Sequence, residues 1–184
     1  MSFWRKLLGL EPKEPSVSDF LAGREALLST SEHFRAFAPD PNSNYWPLAG
    51  RGDNNAAYGA IRNAPLQLEQ VSTGSPMDTS QLAPCTLLFV TEWDTYSATE
   101  IGKTKRTLDS GNTEPPIYFV YFEGTSQDIR ERKSDSWYYS RAFVLRPQHM
   151  EGIGATIGRV PFRITYASSG AVASIEEGMT GGAA

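Results

Sequence analysis

Apolar residues fall in short runs along this chain, each bounded by Pro, Gly, Asn or Asp and most of them rich in β-branched or aromatic side chains. Runs of that kind predict strands. The stretch APLQLEQV places Leu66 and Leu68 on one side, PCTLLFVTEW and PPIYFVYFEG are apolar on both sides, and SWYYSRAFVLRP stops at Pro147. RVPFRITYA alternates with period two, so Val160, Phe162, Ile164 and Tyr166 point inward while Arg159, Arg163 and Thr165 point outward. GAVASIEE adds a last short strand. Upstream, DFLAGREALLSTSEHFRAFA mixes helical spacing at Phe20, Leu21, Arg24, Leu27 and Leu28 with strand-like alternation, and reads as strand after Glu25.

A single helix is signalled in the body of the chain. Ser97 followed by Glu100 fits a capping box, and SATEIGKTKRTL then carries its basic residues toward the end, where the helix dipole favours them. Pro39 to Asn55 is dense in turn formers and predicts a long loop carrying Trp46. Residues 1–18 read as an N-terminal arm ending in a hinge at Pro12 and Pro15, residues 19–177 as one folded domain, and residues 178–184 as a flexible tail. Many strands, one helix and long loops predict a mainly β protein: a β-sandwich or barrel with one flanking α-helix, long loops and an N-terminal arm.

Composition narrows the function. A net charge of -4 lacks the basic excess that DNA-backbone binding needs. The lone cysteine, Cys85, cannot form an internal disulfide and sits in apolar APCTLLFV, so a reducing compartment is the expected place of synthesis. The opening MSFWRKLLGLEPKEP has too short an apolar run for a signal peptide or a membrane span, and no membrane segment is expected elsewhere.

No catalytic or ligand-binding constellation emerges. His33 and His149 lack partners at metal-ligand spacing, and no Ser sits in a nucleophile elbow. Cys85 has no cationic neighbour in sequence to lower its pKa. GIGATIG (Gly152 to Gly158) lacks the Lys-Ser/Thr pair of a phosphate loop and reads as a turn, and the RGD at Arg51 to Asp53 reads as coincidence. Glu92 and Asp94 share one face of a strand and read as a solvated edge. The expectation is no metal, no cofactor and no enzymatic role.

Between Tyr118 and Pro147 the chain carries eight aromatic residues in thirty positions, on strands apolar front and back. One sandwich core covers one face only. The other needs a partner, and Tyr, Trp and Arg are enriched where proteins meet. Trp46, Trp137, Tyr138, Tyr139 and Arg141 are therefore expected to pack between subunits. A carbohydrate-binding β-sandwich using Trp46 and Trp93 as stacking platforms is the alternative outside assembly.

In order, YWPLAG, LEQVSTGSP, TLLFVTEWDTYSATEIG, VYFEGTS, YYSRAFVLRP and VPFRITYASSG resemble the major tail tube protein of long-tailed bacteriophages, over roughly residues 24–170. The resemblance implies a structural virion protein whose hexameric rings stack into the tail tube, the conduit for genome delivery. Its implied partners are further copies of itself and other phage tail proteins, with DNA passing the lumen unbound and no membrane involved. Its implied place is the virion tail, assembled in the host cytoplasm. Loops at Pro39 to Asn55 and Gln127 to Ser136 and the arm Met1 to Ser18 would reach the next ring. Arg130, Arg132, Lys133 and Asp135 in DIRERKSD would set register there, or form a solvated hairpin tip. A tail hub, tail terminator or secretion-tube subunit would use the same fold.

Overall fold

Water is excluded from both faces of the strand Cys85–Val90, every residue of which is buried. A strand with no polar face belongs in the middle of a sheet that is covered on both sides, the usual situation of parallel strands joined by helical crossovers. The computed structural model describes residues 43, 45–48, 51–91, 94–111, 115–132 and 139–180. In chain order they form β1 (Trp46–Pro47), α1 (Asn55–Asn63), β2 (Gln67–Gln70), β3 (Pro76–Asp78), α2 (Thr79–Leu82), β4 (Cys85–Val90) and α3 (Thr95–Asp109). There follow β5 (Ile117–Tyr121), α4 (Ser126–Arg132), β6 (Ala142–Leu145) and α5 (Pro147–His149), which runs into a π-helical turn (Met150–Gly154). The last strands are β7 (Arg159–Val160), β8 (Phe162–Tyr166) and β9 (Val172–Glu177).

Seven strands form one sheet in the order β3-β2-β6-β5-β4-β8-β9, while β1 and β7 make a separate two-stranded ribbon. The central strands β6, β5 and β4 run parallel, and the flanking pairs are antiparallel. Parallel neighbours cannot be joined by a tight turn. Helix α3 accordingly carries the chain from β4 to β5, and α4 lies on the connection from β5 to β6.

This arrangement overturns the expected β-sandwich or barrel. The chain folds as a mixed α/β structure whose sheet has a core on each face. Leu87, Phe89, Val120, Phe143, Phe162 and Ile164 share one core with Ala57, Tyr58 and Ile61 of α1. The rings of Phe89 and Phe162 stack there, with centroids 4.4 Å apart. On the opposite face Leu88, Val90, Phe119, Tyr121 and Val144 pack with Ile129 of α4, against Ile101 of α3 and Tyr139. Among the described residues, the aromatic side chains Phe119, Tyr121 and Phe143 of β5 and β6 are thus covered within the chain.

Two of those helices escaped the sequence pattern for a physical reason. Helix α4 was expected as a charged loop because SQDIRER buries a single apolar side chain, Ile129. Helix α1 interrupts its short apolar stripe with Gly59, which lowers intrinsic helicity. Both form because the sheet supplies an apolar surface to dock on. The strands behave as their patterns require, and Val160, Phe162, Ile164 and Tyr166 are all buried.

Truncating a buried ring on the face that α3 and α4 cover tests this arrangement. Phe119→Ala is expected to lower unfolding stability by about 3–5 kcal/mol, read from urea denaturation. A loss below about 1 kcal/mol, the range of exposed positions, would show that α3 and α4 do not cover that face.

Candidate functional site at the carboxyl ends of the parallel strands

In an open α/β sheet, chemistry gathers where the parallel strands end and their crossover helices begin. Strand β4 ends at Val90, and α3 starts five residues later under the N-cap Asp94. One carboxylate oxygen of Asp94 accepts from the backbone N–H groups of Tyr96 at 2.9 Å and Ser97 at 2.7 Å. The other accepts from the Thr91 hydroxyl. The Ser97 hydroxyl oxygen in turn accepts from the Thr91 N–H at 3.1 Å. Asp94 is 2% exposed and Ser97 is fully buried. The result is an Asp-x-x-Ser turn closed on itself, its negative charge held by orphan helix N–H groups and the helix dipole.

This corrects two expectations. Asp94 is a buried helix cap and not part of a solvated edge, while Glu92 and Trp93 lie outside the described residues. The helix also starts before Ser97, so Ser97 and Glu100 face inward.

Next to this turn β8 begins at Phe162, directly opposite Phe89 of β4, after a cis Val160–Pro161 bond. A polar staple fixes the approach to it. The buried Asn54 side chain uses its oxygen to accept from the N–H groups of Gly158 and Arg159, and its nitrogen to donate to the Arg159 carbonyl and the Tyr58 hydroxyl. Tyr58 donates onward to Glu177 at 2.8 Å, and Arg159 lies 3.7 Å from the same carboxylate. Burial first, and then the neighbouring Glu177, push the Tyr58 hydroxyl well above the usual tyrosine range, so it stays a donor. Any side chain at position 158 would collide with the backbone, since a Cβ there falls 1.8 Å from the Gly52 carbonyl oxygen.

A third cluster lies one turn into α3. Glu100 is fully buried yet ionic: Arg163 of β8 donates to one oxygen and Lys103 to the other at 2.9 Å. Thr180 adds its N–H at 3.0 Å and its hydroxyl at 2.9 Å. Burial raises the Glu100 pKa, but the hydrogen bonds from Arg163, Lys103 and Thr180 and the charge of Arg163 outweigh it and hold the carboxyl below its ordinary value.

The one cysteine is remote from all of this. Cys85 opens β4, about 17 Å from its other end at the usual rise per strand residue. It is fully buried, and burial pushes its thiol up to about 11, so it is a thiol and not a nucleophilic thiolate at neutral pH. Among the described residues no group of three His, Cys, Asp or Glu side chains could hold a metal ion.

Of the residues expected to mediate assembly, the structure describes Trp46, Arg130, Arg132, Tyr139 and Arg141. Trp46 pairs through its backbone with Val160. The Tyr139 hydroxyl donates to the Arg130 carbonyl at 2.8 Å, and Arg130 donates to the Val71 carbonyl at 2.6 Å. The Arg141 carbonyl accepts from the Phe119 N–H, and Arg132 closes α4. Lys133, Asp135, Trp137 and Tyr138 lie outside the described residues, as do residues 1–42 with His33, while His149 accepts from the Gln67 N–H through Nδ1. The residues that build the rim, Asn54, Asp94 and Glu100 foremost, were not singled out for a site. The available signal was an Asp three residues before a Ser, directly after the most apolar strand.

No family model and no curated protein matches the chain. Solved structures do. A thiol:disulfide interchange protein from Bacteroides sp. is similar at 13% identity and a TM-score of 0.51, over 61% of this chain and 77% of its own. The thioredoxin domain of a thiol-disulfide oxidoreductase from Bacteroides vulgatus is similar at 13% identity and a TM-score of 0.50, over 69% and 89%. The fold is therefore thioredoxin-like, a mixed α/β class.

That finding overturns the resemblance to phage tail tube proteins and what it implied: hexameric rings, other tail proteins and passing DNA as partners, and a place in the virion tail. It equally removes the hub, terminator, secretion-tube and sugar-binding sandwich alternatives, all of which presuppose a β-sandwich. The expectation of no enzymatic role does not stand on this fold either: both neighbours carry names of redox proteins, and the likeness itself shows the fold alone.

The Glu100 cluster sets the acid stability. Because its folded pKa is depressed, the stability it contributes is present above the ordinary value of 4.5 and is lost as pH falls through the lower folded value. Glu100→Gln is expected to cost about 3–5 kcal/mol near neutral pH, as removal of one partner of a buried ion pair does. The gap to the parent should narrow in acid, measured by urea midpoints across that range.

Proposed function

We propose that this chain is a thioredoxin-like recognition domain that holds a protein partner of thiol–disulfide chemistry at the rim formed by the start of α3 and the turn before β8. The observation that carries this reading is the Asp94–Ser97 turn. A C-x-x-C pair beside a βαβ crossover makes the redox motif of this fold, and exchange requires a thiolate to attack a disulfide. Here the first turn of the crossover helix reads Asp94-Thr95-Tyr96-Ser97, and the 184-residue chain has one cysteine, buried at the far end of β4. The C-x-x-C pair is thus absent from this turn. The start of α3 offers a hydrogen-bonded surface with Thr95 exposed and Tyr96 half-buried, and ahead of β7 Arg51 donates to the Gly154 and Ile157 carbonyls and lies 3.7 Å from Glu123. The neighbours' names supply the chemical class of the partner.

Restoring the missing thiols tests the reading. Positions 94 and 97 are three apart on one helical turn, within the Cα range that a disulfide spans. Asp94→Cys combined with Ser97→Cys is expected to create a reducible bond and to accelerate insulin disulfide reduction by dithiothreitol by about tenfold or more, as helix N-terminal thiols of lowered pKa do. The parent chain should leave that rate unchanged. Reduction by the parent itself, or an inert double variant whose thiols alkylate readily, would overturn the assignment.

A further inference from the structure

Helix α3 docks on the sheet with an unusual face. Its buried side chains are Ser97, Glu100 and Thr104, and the apolar groups it offers, Ile101 and Leu108, are only partly buried. Helix α1, on the other side of the sheet, buries Ala57, Tyr58 and Ile61. Helices are held in proteins mainly by an apolar face, so α3 needs another anchor.

The anchor visible in the structure is Glu100, and part of what satisfies it comes from the far end of the chain. After β9 the Gly178 N–H donates to the Pro161 carbonyl at 2.8 Å, which carries the backbone back across the start of β8. Two residues on, Thr180 gives Glu100 both its N–H and its hydroxyl, and its carbonyl accepts from Lys103 at 2.6 Å. A three-residue segment thus bridges β8 and α3. Without it, a fully buried carboxylate loses two of its donors and Lys103 an acceptor, and Arg163 already has one buried nitrogen, Nη1, without a partner among the described residues. Buried charges tolerate little loss of hydrogen bonding, so the segment and the helix are energetically coupled.

We infer that Gly178–Thr180 is a latch: closed, it holds α3 against the sheet through Glu100, and open, it lets α3 move locally while the sheet stays folded. This holds whatever binds at the rim. Where the rim does bind a partner, as proposed above, the latch regulates that surface, because α3 begins there.

Hydrogen exchange of the full-length chain reads the latch directly. Thr180→Val, which removes the hydroxyl, and Thr180→Pro, which removes the N–H, are each expected to speed exchange of α3 amides by about tenfold, the scale for a lost bond to a buried charge. Amides of β4 and β5 should keep their parent rates, and Thr180→Ser should restore protection. In a Glu100→Gln background Thr180→Val should add much less, since the two act through one contact. Equal acceleration of α3, β4 and β5 would mean global destabilisation and would overturn the latch, as would unchanged exchange in α3. Neither outcome depends on the thiol-restoration experiment, so the two ideas fail separately.

Discussion

Three parallel strands that must be dry on both sides govern this structure. The β6-β5-β4 strip presents Leu87, Phe89 and Val120 to one face and Leu88, Val90 and Phe119 to the other, and all six are fully buried. A surface of that kind is stabilised only when something apolar lies against each side. Parallel connection supplies the cover with the topology, because each return to the same end of the sheet carries a crossover. The covalent order of the chain thus determines how the second face is protected.

The rim follows from the same geometry. Crossover helices start where the parallel strands end, and the unpaired N–H groups of their first turns must find acceptors. At α3 they find Asp94, itself tied to Thr91, with Ser97 bonded back to the end of β4. At α4 the Thr125 N–H and hydroxyl donate to Asp128, and the Asp128 N–H donates to Thr125. Both helix starts are thus satisfied within the chain. A fold whose solved neighbours are named for thiol–disulfide chemistry is thus combined with a turn chemically suited to holding shape.

The polar interior next to the rim carries a structural cost that the apolar cores offset. Asn54 makes four hydrogen bonds and so stitches the start of α1 to the backbone before β8. Glu100 collects two cations and a threonine around one buried carboxylate. Such groups add little net stability compared with apolar residues of the same volume, but they tolerate few alternative arrangements. They join segments far apart in sequence, Asn54 to Arg159 and Glu100 to Thr180.

The strands were legible because their signal is local. Apolar runs at 85–90, 117–121, 142–145 and 162–166 are bounded by turn residues, and burial is continuous along 85–90 and 142–145 and alternates along 162–166. Their covering was not legible, since Leu88 and Phe119 look the same in sequence whether a helix of the same chain or another molecule lies against them. Helix α4, with one buried apolar residue in seven, drew its helicity from the sheet it docks on. The Asp94 cap and the Thr180 latch were invisible for a related reason: a carboxylate before a helix and a threonine near a terminus are ordinary on a surface, and only the folded chain buries the first and sets the second against Glu100. By itself the sequence determined which segments must leave water and that its only thiol here, Cys85, lies in one of them. The tertiary structure decided which segment covers which, because burial depends on neighbours that the linear order does not name.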